Sequence, residues 1–239
     1  MLDEEARAVQ EVAKVTGKAI DLVRSAGGLL DDVFGETLRQ LGGTAADWSR
    51  YFRLRNFLLI ADKAKTVLDG RRITGKLLSI PPQFALPLLD GASLEAEEDI
   101  QQLWAGLIAN AVDPGRAFRI KKVFLEILRG LEPLDARIME FLSNTKLENQ
   151  HTLLEDQHTI LTGATLNVDV LATRLQVDPE ESKISLQTLA RYGCVIDAWE
   201  STLAGLDTGY SGFRVDNPKA NFRLSHLGHQ LLIATRTTL

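Results

Sequence analysis

The stretch SLEAEEDIQQLWAGLIANAVDP, residues 93–114, decides the fold of the first half of this chain. Its apolar side chains recur at the i, i+3, i+4, i+7 spacing of a single buried helical face. These side chains are Ile100, Leu103, Trp104, Leu107, Ile108 and Ala111. Ser93 can cap the helix, the acidic residues after it complement the positive end of the helix dipole, and Pro114 ends it. The segment predicts a buried helix over about 95–112.

The composition is that of an ordinary globular protein. Its 239 residues are 45% hydrophobic and 25% charged, enough chain for one large domain or two of ordinary size. The single cysteine, Cys194, cannot form an intramolecular disulfide, which fits a reducing compartment. The acidic N-terminus does not resemble a secretory signal, and no apolar run is long enough to span a membrane. We therefore expect a cytoplasmic protein without a membrane span.

The first half of the chain predicts a series of helices. Residues 8–26 carry a narrow apolar stripe with alternating steps of three and four, suited to close helix packing within the chain or in a dimer. The stripe consists of Ala8, Val12, Val15, Ala19, Leu22, Val23 and Ala26. Further helices are predicted over 29–41, 44–70, 84–89 and 117–131.

From Pro133 onward the pattern is that of a winged helix. A helix begins at Pro133, a helix–turn–helix follows over 168–192 and ends at Gly193, and two short strands surround a Gly-rich wing loop at 201–212. Ser225 caps a final helix. The predicted fold is therefore mainly α. It has an N-terminal multi-helix domain at 5–131 and a C-terminal winged-helix domain with a small β-hairpin at 132–239.

The net charge of −5 is unevenly distributed. Residues 1–129 carry equal numbers of basic and acidic side chains, so the whole excess of acid lies in residues 130–239. Basic residues concentrate only in 50–76, where a solvated helix face is the ordinary explanation and a nucleic-acid surface the functional one. The candidate basic surface consists of Arg50, Arg53, Arg55, Arg71, Arg72 and Lys76. Because the predicted recognition helix has no net charge, a protein partner is favoured over DNA.

The residues present no catalytic or metal-binding set. His226 and His229 share a helix face, but a structural zinc site needs four ligands and the only thiol is Cys194. We therefore predict no catalytic residue, no metal and no cofactor. Asn110 is the candidate functional polar residue, because an amide on an apolar helix face must either bond a neighbouring backbone or specify helix register.

Several phrases of the sequence resemble the bacterial abortive-infection alpha (Abi-alpha) proteins. They include TGKAIDLVRSAGG at 16–28, IPP at 80–82, LWA at 103–105, LIANAVD at 107–113 and LEPLDA at 131–136. The resemblance covers roughly residues 10–142, and RLSHLG at 223–228 adds a terminal phrase. It implies anti-phage defence, in which an infected bacterium stops growing or dies before the phage matures. It implies no catalytic residues.

Three functional hypotheses follow. The favoured one is a non-enzymatic, homo-oligomeric defence protein that acts by contact with itself or with a phage or host protein. The alternative is a DNA-binding transcriptional regulator that uses the winged helix and the basic stretch 50–76. A third is a membrane effector that uses residues 5–41, although their stripe lacks the bulky aromatic side chains of an interfacial helix.

Overall fold

The computed structural model describes residues 29, 32–33, 48–71, 73, 76–116, 120–144, 167–197 and 222–237, with the side chains of 48–52 and 197 excepted. These residues form eight helices and one two-stranded antiparallel sheet, so the prediction of a mainly α protein is confirmed. The stripe at 8–26, the wing loop at 201–212 and Arg72 lie outside the described residues. The chain divides into two compact units, one of residues 1–129 with 234–239 and one of 130–233. The domains placed at 5–131 and 132–239 stay a prediction.

The first unit is built around one buried helix. Its helices are α1 (Trp48–Gly70), α2 (Pro82–Leu94), α3 (Glu98–Val112) and α4 (Lys122–Leu128). Trp104, Leu107 and Ile108 of α3 are fully buried, and α1 packs against both α2 and α3. The buried helix predicted from the opening stretch is therefore confirmed, with Trp104 in the core.

The boundary between α2 and α3 differs from the prediction. A short helix was expected at 84–89, but α2 continues to Leu94, and Ser93 lies in its last turn instead of capping α3. The Ser93 hydroxyl donates to the Asp90 carbonyl at 3.1 Å. Gly91 lets the longer α2 approach α3, because a Cβ there would lie 2.8 Å from the Trp104 ring. The helix α3 then begins three residues later than predicted, at Glu98.

The helix α4 is shorter than predicted. The periodicity of 117–131 indicates one helix, whereas α4 covers only Lys122–Leu128. Lys121 before it is extended, and residues 117–119 lie outside the described part of the chain. The apolar periodicity is real, since Phe124 and Leu128 are both buried, but it extends beyond the helix, to Ile120 before it and through a turn to Leu131 after it.

The second unit holds the elements that follow Pro133. They are α5 (Pro133–Asn144), α6 (Val168–Leu175), α7 (Pro179–Arg191), β1 (Val195–Asp197), β2 (Phe222–Leu224) and the start of α8 (His226–Thr235). The two strands pair with Val195 opposite Leu224. As predicted, Gly193 ends α7 in the left-handed region at φ +71°, and the Ser225 hydroxyl accepts the Gly228 N–H at 3.0 Å.

The titratable groups buried in this unit include a carboxyl and a thiol. Asp135 is 2% exposed, and its Oδ2 accepts the Glu132 N–H at 2.9 Å, which caps the start of α5. Burial raises the pKa of Asp135, and the Glu132 N–H offsets part of that rise. Burial also raises the pKa of the Cys194 thiol to about 12, so this cysteine packs as a small apolar side chain and is a poor nucleophile.

Asp135→Asn should reduce the pH dependence of folding. Because the folded chain holds the Asp135 proton more tightly than the unfolded chain does, stability from this group is present below its ordinary pKa of 3.8 and lost as pH rises through the raised value. Asparagine stays neutral and keeps an acceptor for the Glu132 N–H. In unfolding experiments from about pH 4 to about pH 7, we expect stability to shift in favour of the Asn variant as pH rises.

The control is Asp135→Ala, which also removes the charge but leaves the Glu132 N–H without its acceptor. It should be less stable than the Asn variant at every pH. The prediction would be contradicted if wild type and Asp135→Asn differed by the same free energy of unfolding at every pH in the range.

Candidate functional site

Asn110 lies at the centre of a buried hydrogen-bond cluster in the first unit. Its side chain is on α3 and the residue is 1% exposed. The Nδ2 group donates to the carbonyl oxygens of Ala234 at 2.7 Å and Arg236 at 3.1 Å, while Oδ1 accepts from Arg71 Nη2 at 2.8 Å. The amide therefore uses both donor hydrogens and its acceptor. We call the group formed by Arg71, Asn110, Asp113 and the backbone of 234–236 the C-terminal clamp.

A buried ion pair forms the second half of the clamp. Arg71 Nη1 donates to Asp113 Oδ2 at 3.3 Å, and the two side chains are only 4% and 8% exposed. Arg71 Nη2 also reaches the Arg236 carbonyl at 3.4 Å. Asp113 Oδ1 accepts the Gly115 N–H at 2.8 Å, which fixes the turn after α3. A buried pair of this kind is strongly destabilising to break, because either ion alone is left in the interior.

Arg71 keeps its positive charge although its side chain is buried. Burial and the nearby Arg116 lower its pKa, and the ion pair with Asp113 opposes that change. An arginine stays protonated at any physiological pH, since its ordinary value is so high. The clamp therefore contains one full positive charge that the Asp113 carboxylate and two oxygen acceptors neutralise.

Gly106 makes room for the clamp. It precedes Asn110 by one helical turn, so both residues lie on the same face of α3. A Cβ at Gly106 would lie 1.8 Å from the Thr235 carbonyl oxygen, a distance that no side chain permits. The face of α3 that meets the C-terminal end of the chain thus carries a glycine, which allows close approach, and one turn later an amide, which forms hydrogen bonds.

The groups in the clamp hold the C-terminal backbone against α3 by hydrogen bonds. The amide, carboxylate and guanidinium groups bond to one another and to backbone groups, and both oxygens of the Asp113 carboxylate are engaged, one by Arg71 and one by the Gly115 N–H. The sequence left open whether the Asn110 amide bonds a neighbouring backbone or specifies helix register, and in the structure it donates to a backbone carbonyl more than 120 residues away. Its functional role stays a prediction. Sequence reasoning missed Gly106, whose one-turn spacing from Asn110 is the available signal.

Two members of the candidate basic surface, Arg53 and Arg71, form ion pairs within the first unit, as do Lys63 and Lys65 of the same stretch. The pairs are Arg53–Asp90 at 3.5 Å, Lys63–Glu98 at 2.9 Å, Lys65–Asp69 at 2.9 Å and Arg71–Asp113 at 3.3 Å. Arg55 and Lys76 are exposed, without an ion pair to any described residue. The side chain of Arg50 and the whole of Arg72 lie outside the described residues. The described part of this stretch therefore presents less free positive charge than its sequence indicates.

Metal ligands do not converge in the described part of the chain. No group of three or more His, Cys, Asp and Glu side chains there could hold an ion. His226 is exposed at the start of α8, and His151 and His158 lie outside the described residues. Among the helices of these residues, none has the length and apolar character needed to cross a bilayer.

Comparison with known proteins gives one match. The model of the abortive infection alpha family matches residues 56–235. The matched range contains the whole of the clamp except Arg236, together with most of α1 and all later helices, and it extends well beyond residue 142. No curated protein and no solved structure matches the chain.

Asn110→Ala should destabilise the first unit by on the order of 3 kcal/mol, because the substitution removes the 2.8 Å acceptor of the buried Arg71 Nη2 and the amide that donates to the Ala234 and Arg236 carbonyls. The measurement is equilibrium urea unfolding of the full chain. Gln102→Ala, on the same helix but half-exposed, is the control and should stay within about 0.5 kcal/mol of wild type. An Asn110→Ala variant as stable as the control would show that the clamp contributes nothing.

Proposed function

The chain belongs to the abortive infection alpha family, and we propose on that ground that it serves bacterial defence against phage. In such a defence the infected cell stops growing or dies before the phage matures. The family match supports the defence role and leaves the mode of action to the surface of the protein.

The proposed mode of action is contact with another protein, without a catalytic step. The observation that carries this proposal is the exposed face of α7. Ile184 is 63% exposed, the highest value among the large apolar side chains of the described residues, and Val170 on α6 is 40% exposed. The two helices pack against each other, and exposed apolar side chains on such a pair favour a protein contact site.

The charges around Ile184 favour protein over DNA. We propose that α5 to α8 and the β1–β2 pair form a winged helix, in which α7 takes the position of the recognition helix. Its exposed first turn carries Glu180 and Glu181, and Lys183 is paired with Glu180 at 2.7 Å. Acidic side chains at the start of a recognition helix repel phosphates, which supply most non-specific affinity for DNA. A DNA-binding regulator is therefore the second candidate.

We further propose that the protein is a cytoplasmic homo-oligomer. The face around Ile184 is available for contact with a second copy as well as with a phage or host protein. The buried, unpaired Cys194 is compatible with a reducing compartment. Sedimentation of the full chain over micromolar concentrations tests the oligomer, and a single monomeric species throughout would remove that part of the proposal.

Ile184→Arg should abolish defence while the chain stays folded, because a charge replaces the exposed apolar side chain at the centre of the contact face. The matched control is Ile184→Leu, which keeps an apolar side chain of the same size. In a host that the wild-type chain protects from phage, we expect the Arg variant to lose plaque reduction by about tenfold or more, because truncating or charging a central contact residue disrupts most of a contact's binding energy. The Leu variant should protect like wild type.

The same pair of variants separates protein contact from DNA binding. An added arginine strengthens binding to phosphates, so the DNA-binding candidate predicts tighter, salt-dependent duplex binding by Ile184→Arg, with defence retained. Full protection by the Arg variant would overturn the proposed contact face.

A further inference from the structure

Arg223 is a buried arginine in the short sheet of the second unit. It lies in the middle of β2, between the buried Phe222 and Leu224, and only 5% of the residue is exposed. In the antiparallel register Arg223 is opposite Ile196, and Leu224 is opposite Val195. Because successive side chains of a strand point to opposite faces, Arg223 shares one face of the pair with Ile196, and the buried Val195 and Leu224 share the other.

No described residue neutralises the charge of Arg223. Its Nε atom is completely buried without a hydrogen-bond partner, and no ion pair connects the guanidinium to a described carboxylate. Burial lowers the pKa of Arg223, and no described acid opposes that change. Arg71 in the first unit shows the usual arrangement, since Asp113 opposes the lowering of its pKa and accepts its hydrogen bond at 3.3 Å. Of these two buried arginines, only Arg71 has a counter-charge among the described residues.

The buried carboxyl of the same unit is not the counter-charge of Arg223. Asp135 on α5 is 2% exposed, and burial raises its pKa. Hydrogen bonds from the Glu132 N–H and from Ser185 oppose that rise, but no described cation does. An arginine beside the carboxyl would favour the charged form and lower its pKa. The unit therefore buries an acid and a base that do not pair with each other.

The chemistry of arginine indicates what the missing counter-charge is. An arginine does not lose its proton at any physiological pH, so burial leaves a full positive charge. Buried charges in proteins are paired, because an ion without water or a counter-ion is strongly unfavourable. The planar guanidinium binds carboxylates and phosphates through parallel N–H···O bonds. Since so little of Arg223 is exposed, a small anion suits it better than the phosphate backbone of a duplex.

We propose that Arg223 is the anchoring residue of a binding site for a small oxyanion, a phosphate or a carboxylate, on the β1–β2 pair. One oxyanion balances the charge of the guanidinium and supplies an acceptor for the buried Nε. The site belongs to the second unit alone, and it depends neither on the proposed defence role nor on the contact face around Ile184.

Equilibrium urea unfolding of the full chain in sodium phosphate and in sodium chloride, at equal ionic strength, tests the site. A ligand that binds only the folded chain moves the unfolding midpoint to higher urea as its concentration exceeds Kd. We expect phosphate to raise the midpoint of wild type above its value in chloride. Arg223→Met, with a neutral side chain that still packs, should bind phosphate at least about tenfold more weakly and lose most of that shift. A third series in sodium acetate separates a carboxylate ligand from a phosphate ligand.

The matched control is Arg174→Met, which removes an exposed arginine from α6 of the same unit. Phosphate also stabilises folded proteins generally, because it is excluded from their surface. That general effect should be the same in both variants, so the difference between Arg223→Met and Arg174→Met isolates the site. Arg174→Met should keep the wild-type shift.

Stability in chloride gives a second readout. Replacing an unpaired buried charge by an apolar side chain removes an unfavourable group, so Arg223→Met should be at least as stable there as wild type. A large loss of stability in chloride, or failure to fold, would show that a carboxylate of the chain already pairs with Arg223 and would overturn the proposal. Equal midpoints shifts by phosphate and by acetate in wild type and both variants would overturn it as well.

Discussion

The contact between α3 and the C-terminal end of the chain is the interaction on which the first unit depends. Gly106 allows the Thr235 carbonyl to approach the helix, and Asn110, one turn further on, bonds the carbonyls of Ala234 and Arg236. Because α3 is also the helix against which α1 packs, one helix organises residues from both halves of the sequence. The last residues of α8 consequently belong to the first unit although the helix starts in the second.

Buried polar groups give this contact its specificity. Apolar packing alone tolerates small shifts of one helix against another, whereas the directed hydrogen bonds of Arg71, Asn110 and Asp113 favour one arrangement. The network is costly to disrupt, since each member left alone would be an unsatisfied group in the interior. We infer that these residues set the register of the C-terminal end.

Sequence periodicity predicted the presence of helices well, but it did not predict their boundaries or the contacts between them. The stripe through Trp104 and Leu107 predicted α3, because burial repeats every turn of a helix. The end of α2 was predicted wrongly because it depends on a contact between two helices. Gly91 on α2 leaves room for the Trp104 ring on α3, and a local pattern does not show such a contact. Likewise, Asn110 was recognisable as a buried amide, but nothing local in the sequence reveals a partner 124 residues away.

The partners of the basic residues in 50–76 were likewise not predictable from the local sequence. The positive charge of this stretch is visible in the sequence, but Asp90 and Glu98, the carboxylates that neutralise Arg53 and Lys63, are supplied by later segments. Only the fold brings these charges together, and it pairs Arg53 and Lys63 within the chain while Arg55 and Lys76 stay exposed. The family, in contrast, was recognisable from α3 itself, whose LWA and LIANAVD phrases include Asn110 and Asp113.

Gly106→Ala tests the central contact most directly, because two effects of the substitution have opposite signs. Alanine is a better helix former than glycine by about 1 kcal/mol, so a free helix face would gain stability. A clamp at this position predicts a loss on the order of 1–3 kcal/mol, from the clash with the Thr235 carbonyl. Faster amide hydrogen exchange in both α3 and the end of α8 should accompany that loss. A gain of about 1 kcal/mol with unchanged exchange would contradict the clamp.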